Sequence, residues 1–236
     1  DYAPQAPAHA EAISGIKADA GTPRFLLNTH WHGDHVGGNE YWAEQGTVIM
    51  AHENIYQRMS TRQEMKALGR EVEPSPAAAL PVVTYADSIA VRFNDDVIQV
   101  QHFPRGHTDG DSVIFFTEQN VVHIGDHYFV GAYPFVDIDS GGNVLGYIAN
   151  VEKVLGMIDD QTMVVPGHNS KKPMTKQDLQ AWVKALKKSV SRVAALLDSG
   201  KSVEEIAETG LGADYESFGK GFIKEPVWIS FIAASI

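Results

Sequence analysis

The sequence predicts a mixed α/β (α+β) fold in a single domain over residues 1–236, with 171–236 a mostly helical C-terminal part. Three observations lead there. A length of 236 residues falls in the range of one α/β or α+β domain. Apolar residues make up 44% and charged residues 21%, which is enough for a core, and no apolar run approaches the roughly 18 residues that span a bilayer. Short apolar runs alternate with amphipathic stretches along most of the chain.

Taken in order, residues Ala8 to Ala18 read as an amphipathic helix, and Arg24 to Thr29 as a short apolar strand that ends where the histidines begin. Asn39 to Gln45 reads as a short helix, Thr47 to Met50 as a strand, and Glu53 to Leu68 as a polar-faced helix stopped at Gly69. The Pro/Ala-rich stretch Glu73 to Pro81 reads as a surface loop. Ser88 to Phe93 and Val97 to Phe103 alternate apolar and polar residues around Asn94-Asp95-Asp96, the pattern of a hairpin. Ser112 to Thr117 and Val121 to Gly125, separated by Glu118-Gln119-Asn120, predict another. After a Gly-rich loop, Val144 to Ile158 reads as a helix and Thr162 to Val165 as a strand broken by Pro166-Gly167. The chain from Thr175 onward is mostly helical, with Leu179, Trp182, Val183, Leu186, Val190, Val193 and Leu197 forming one packing stripe.

Charge and cysteine content narrow the function classes. Nineteen Lys and Arg against 30 Asp and Glu leave a net charge of −11, a field that repels phosphate backbones and anionic lipid. Neither nucleic acid nor a membrane is therefore expected as partner; a small-molecule substrate is. The absence of cysteine excludes disulfides, thiolate metal sites and cysteine nucleophiles, so any metal must be held by imidazole and carboxylate.

Ten histidines then stand out. His30-Trp31-His32-Gly33-Asp34-His35 places four potential ligands in six residues just past a strand, with Gly33 and Gly37-Gly38 permitting a tight backbone. Alternate residues of an extended segment point the same way, so His30 and His32 can grip one metal while Asp34 and His35, after the glycine, face a second. Three later positions follow expected strands: His107 in Gly106-His107-Thr108-Asp109-Gly110-Asp111, Asp126 in Gly125-Asp126-His127, and His168 in Pro166-Gly167-His168-Asn169. Ligands delivered from several strand ends at one sheet edge can converge on one spot.

These four blocks, in this order, resemble the metallo-β-lactamase superfamily, whose pattern is His-x-His-x-Asp-His, a Gly-His-Thr histidine, an aspartate after a strand, and a Gly-His. The resemblance spans about Phe25 to Asn169 and implies an αβ/βα sandwich of two mixed sheets flanked by helices. It further implies two divalent metal ions, with His30, His32 and His107 on the first, Asp34, His35 and His168 on the second, and Asp126 between them. Zinc is the default for an imidazole-rich set, while the aspartates make iron or manganese credible. An aspartate at 126, where the lactamases have Cys or a non-ligand, resembles glyoxalase II-like thioesterases, lactonases and phosphodiesterases. The implied activity is hydrolysis of a thioester, lactone or β-lactam type of carbonyl by a metal-activated water, with Asp34 orienting that water and accepting its proton. A mononuclear iron dioxygenase of the glyoxalase II-like group and a phosphodiesterase are the alternatives.

Other residues take supporting roles in this reading. His9, His52, His102 and His123 read as structural and His127 as pocket-lining or supporting a ligand, while Asp109 or Asp111 is expected to hydrogen-bond a ligand imidazole. Tyr128, Phe129, Tyr133 and Phe135 are candidates for a substrate wall, being just past a ligand. Family members carry several strands ahead of the first motif; none precedes it here, so an upstream segment is expected to complete the sheet that holds Arg24 to Thr29. Resemblance to secreted bacterial hydrolases places the protein in the periplasm or outside the cell, with the cytoplasm as the alternative.

Overall fold

The computed structural model of the chain describes residues 2–16 and 21–236. The residues cluster into two compact units, Asp1–Ile89 and Ala90–Ile236. Both mix helices and strands, as expected. No helix among the described residues is long and apolar enough to cross a membrane.

The first unit opens with α1 (Ala6–Ile16), so the expected helix begins two residues early, and its last expected residues lie outside those described. β1 (Phe25–Leu27) leads into the one-turn α2 (Gly33–Val36), α3 (Asn39–Glu44) and β2 (Val48–His52). Then come α4 (Glu53–Ser60), β3 (Gln63–Met65), β4 (Arg70–Val72) and β5 (Val83–Tyr85). β1, β2 and β5 form a parallel sheet in the order β1-β2-β5, with Phe25 opposite Val48 and Met50 opposite Val83. Parallel strands need covered faces, and Ile49, Met50 and Ala51 of the central strand are buried accordingly.

The helix expected over Glu53 to Leu68 is half that length. Thr61 is extended at φ −131°, and its Oγ1 donates to the Gln57 carbonyl at 2.7 Å, closing the helix end. Residues 63–65 then pair antiparallel with 70–72 through a turn at Gly69, whose φ of +59° favours glycine, and Arg62 bridges to Glu71 and Glu73. Pairing across that turn overrides the local helical preference.

The second unit begins within β6 (Ser88–Phe93), which pairs with β7 (Asp96–His102) in the expected hairpin. Asn94 and Asp95 sit at φ +53° and +60°, the left-handed pair that a two-residue turn of this twist requires. β8 (Ser112–Phe116), β9 (Val121–Phe129), α5 (Val144–Met157) and β10 (Met163–His168) follow. The chain closes with α6 (Lys176–Asp198), α7 (Val203–Thr209) and α8 (Glu225–Ala233). The sheet order is β10-β9-β8-β7-β6, antiparallel from β7 through β9 and parallel between β9 and β10.

Both edge-proximal strands run past their expected ends. β9 continues through Asp126 to Phe129, and β10 continues through Pro166-Gly167 to His168, with register shifts at Pro166 and again before His168. Gly125, at φ +54°, absorbs the irregularity, which is the usual role of a bulge beside a functional residue. The helical tail is as expected. Capping boxes at Thr175/Asp178 and Ser202/Glu205 start α6 and α7. Leu179, Trp182, Val183, Leu186 and Val193 of the α6 stripe are buried, each such leucine contributing about 1.5–3 kcal/mol relative to exposure.

Candidate metal centre

In the first unit the loop after β1 carries four of the expected ligands. His32 is the N-cap of α2, and the His35 and Val36 amides both donate to its carbonyl at 2.8 and 3.0 Å. That single turn folds the segment back, so the His30 ring lies 4.8 Å from the His32 ring and 4.0 Å from the His35 ring, centroid to centroid. A ligand atom of His30 is within 4.8 Å of one on His32 and of one on His35. His35 Nε2 lies 3.4 Å from Asp34 Oδ2. His30 and His32 are buried, while Asp34 and His35 are half-buried.

Buried polar residues on either side hold this loop. Asn28 and Asn39 exchange amide hydrogen bonds, each donating Nδ2 to the other's Oδ1 at 3.0 and 2.9 Å, and Asn39 also donates to the Ala79 carbonyl at 2.9 Å. Thr29 Oγ1 sits 3.2 Å from His30 Nδ1 and fixes that ring from behind, which leaves Nε2 to serve as the ligand atom. Neither asparagine stands out in the sequence as a support for the histidine loop. Their signal was position: one stands two residues before the first histidine and the other directly after Gly37-Gly38.

In the second unit β9 presents Asp126, the loop between β7 and β8 presents His107, and β10 presents His168. His168 Nε2 lies 3.1 Å and His107 Nε2 3.5 Å from the same carboxylate oxygen, Asp126 Oδ2. His107 Nδ1 is 2.7 Å from the Phe135 carbonyl. A carbonyl only accepts, so Nδ1 carries the proton and the lone pair of Nε2 faces the carboxylate. Two electron-rich atoms facing each other at 3.5 Å in a buried site repel unless a cation or a second proton lies between them. A divalent cation answers that arrangement, and the donor set of imidazoles and carboxylates suits zinc, iron or manganese.

Close backbone approach makes this geometry possible. A Cβ on Gly167 would collide with Asp126 Oδ1 and lie 2.8 Å from the Gly125 carbonyl oxygen. A Cβ on Gly106 would collide with His127 Nε2 and lie 2.7 Å from Asn150 Nδ2. The His168 ring stacks on Phe129, 4.8 Å between centroids at 18°.

Three expectations need correction here. Asp126 does not follow a strand but lies inside β9, because Gly125 and the shifted register of β10 let pairing continue. Of Asp109 and Asp111, the two expected beside a ligand imidazole, Asp111 is bonded elsewhere, and the Phe135 carbonyl holds His107 Nδ1. Asp111 instead accepts from the Thr108 amide at 2.9 Å and from Thr108 Oγ1 at 2.5 Å, and lies 3.7 Å from His127 Nε2. Burial raises its pKa well above the usual carboxylate value despite those bonds. Three of the four aromatic residues proposed as a substrate wall pack into the core, Tyr128 on Trp182, Tyr133 on Trp228 and Phe135 on Phe231, while Phe129 is buried against His168.

Among the remaining histidines, His52, His102, His123 and His127 take structural roles. His52 caps α4 through Nδ1, accepting from the Asn54 amide, and donates Nε2–H to the Ala86 carbonyl at 2.7 Å. His102 Nδ1 donates to the Asp111 carbonyl at 2.9 Å, and His123 Nδ1 accepts from the Gly125 amide at 3.2 Å. His127 stacks on Tyr147, and burial, with His107 nearby, pushes its pKa down to about 3, so it is neutral.

The sequence model of the Metallo-beta-lactamase superfamily matches residues 3–168. A hydroxyacylglutathione hydrolase of Erythrobacter litoralis is 28% identical over 121 residues, which cover 50% of this chain and 39% of that protein. The match thus spans about two fifths of that relative. Among solved structures, a metallo-beta-lactamase from Pontibacter korlensis superposes with a TM-score of 0.58 at 19% identity, covering 75% of this chain and 76% of that one. A further protein, solved in a di-iron-bound form, superposes with a TM-score of 0.56 at 26% identity, covering 74% of this chain and 82% of that one.

Proposed function

This chain belongs to the metallo-beta-lactamase superfamily, a family that includes hydrolytic enzymes, and from that premise we propose that it is a metal-dependent hydrolase of a small-molecule carbonyl compound. The observation that carries the proposal is the pair of imidazole nitrogens, His107 Nε2 and His168 Nε2, aimed at one oxygen of a buried aspartate. In this reading His30, His32 and His107 would hold one divalent ion, Asp34, His35 and His168 would hold a second, and Asp126 would serve both. The similarity to a protein solved with two irons supports two ions, and supports iron beside zinc.

Divalent ions bound there supply Lewis acidity and lower the pKa of a coordinated water. The chain's own residues do the rest. His107, its Nδ1–H held by the Phe135 carbonyl, keeps one tautomer and one ring orientation. Asp126, with no room for a Cβ between its Oδ1 and Gly167, turns Oδ2 toward the Nε2 atoms of His107 and His168. Asp34, half-buried beside His35, is the carboxylate assigned to orient the attacking water and take its proton.

The substrate class we propose is a thioester, lactone or β-lactam type of carbonyl; the hydroxyacylglutathione hydrolase among the relatives supports the thioester. The test is a panel of thioester, lactone, β-lactam and phosphodiester substrates assayed before and after chelation, with readdition of zinc or iron. Turnover of one carbonyl substrate, lost with the chelator and restored by metal, is expected. Turnover that survives complete metal removal would overturn the proposal.

A further inference from the structure

Helix α5 carries two buried polar side chains, Tyr147 and Asn150, whose hydrogen bonds end on the two segments that present His107 and Asp126. Tyr147 Oη donates to the backbone carbonyl of Asp126 itself at 2.8 Å. Three residues on, and so on the same side of the helix, Asn150 Nδ2 donates to the Pro104 carbonyl at 3.1 Å, in the loop that ends in His107. The same Nδ2 group lies 3.2 Å from His127 Nε2, next to Asp126 in β9. At the start of the helix the Asn143 amide donates to the Gly106 carbonyl at 3.0 Å. One helix therefore grips the backbone of both segments, and it does so from behind, on main-chain atoms that take no part in metal ligation.

The packing explains why this grip is rigid. Tyr147 is fully buried and its ring stacks on His127, 5.3 Å between centroids at 28°. Gly106 leaves no room for a Cβ between the loop and the polar ends of His127 and Asn150. A shift of the loop relative to β9 would have to break these bonds in a dry site, where unmet polar groups are costly.

We propose that Tyr147 and Asn150 are positioning residues that fix the distance between His107 and Asp126, and so set metal affinity without touching metal or substrate. The proposal rests on the metal reading given above. It predicts that Tyr147→Phe, which keeps the stacked ring and removes only the hydroxyl, weakens zinc binding by about ten- to a hundredfold, the usual effect of losing a group that orients a ligand. Asn150→Leu is expected to act in the same direction, and the double variant more strongly than either.

The experiment is competition for zinc between the metal-free full chain and a chromogenic chelator, run beside a thermal melt of each metal-free protein. Ser189→Ala serves as control, because it strips a buried partner from Trp228 Nε1, 2.9 Å away, in the same unit but on helices that carry no ligand. The expected result is a lower melt for Ser189→Ala at unchanged zinc affinity, and a clear loss of affinity for Tyr147→Phe. Wild-type affinity in Tyr147→Phe, or an equal loss in Ser189→Ala, would overturn the positioning role while leaving the metal reading intact. A wild-type chain that competes for no zinc at all would instead sink the metal reading and this proposal together.

Discussion

Replacing Gly167 by alanine tests whether the approach of β10 to Asp126 is as tight as the geometry requires. The new methyl group would overlap Asp126 Oδ1 and meet the Gly125 carbonyl oxygen and carbon at 2.8 and 2.9 Å. Two of those three neighbours are backbone in the paired core of β9, so they cannot swing aside as a flexible side chain would. The remaining neighbour is a short carboxylate in a buried site. Overpacking of this kind costs about 1–3 kcal/mol. For a chain of this size each kcal/mol lowers the melting temperature by about 2–4 °C, so a fall of about 2–12 °C is expected in the metal-free protein. Moving Asp126 Oδ2 away from His107 and His168 should also lower bound metal. Differential scanning calorimetry and elemental analysis of the same sample read both effects. An alanine variant with wild-type melting and wild-type metal content would refute the reasoning.

Two further substitutions probe the supports on each unit. Asn39→Ala removes the amide that pairs with Asn28 and with the Ala79 carbonyl, leaving buried groups unmet at about 1–3 kcal/mol each, so urea denaturation should show a loss of a few kcal/mol. A loss below 1 kcal/mol would mean that the pair does not hold the loop. Tyr133 is buried and donates to Glu225 Oε2 at 2.9 Å, and burial and that carboxylate raise its pKa. Above pH ~10 the unfolded chain releases this proton while the folded chain keeps it, so stability falls as pH rises, by at most about 1.4 kcal/mol per pH unit. Tyr133→Phe should flatten that slope between about pH 10 and 11.5, and an unchanged slope would contradict the assignment.

The chemistry-bearing residues were legible because their signal is local. His30 to His35 and His107 sit at turns marked by glycine, His168 directly follows Gly167 at the end of β10, and the hairpin at Asn94-Asp95 follows from two residues that tolerate positive φ. What the sequence concealed is non-local. Gln63 to Met65 looks helical until Arg70 to Val72 returns to pair with it. β9 reads as ending at Gly125 because nothing nearby shows that β10 will pair through a bulge there. Tyr128, Tyr133 and Phe135 could have lined a pocket or filled a core; the positions of Trp182, Trp228 and Phe231 decide for the core, whereas Phe129 stacks on His168. The supporting groups were the least visible. Asn28, Asn39, Tyr147 and Asn150 act largely on backbone carbonyls, which every residue has, so no side-chain pattern announces their partners.

Metal stoichiometry is the most direct test of the central claim. The purified full chain, reconstituted with zinc or with iron under reducing conditions and freed of loosely bound ions, should carry two metal ions per chain by inductively coupled plasma mass spectrometry. His107→Ala and His168→Ala should each reduce that value. A wild-type protein without bound metal, or one that keeps both ions when His30, His107 and His168 are all replaced by alanine, would contradict the account.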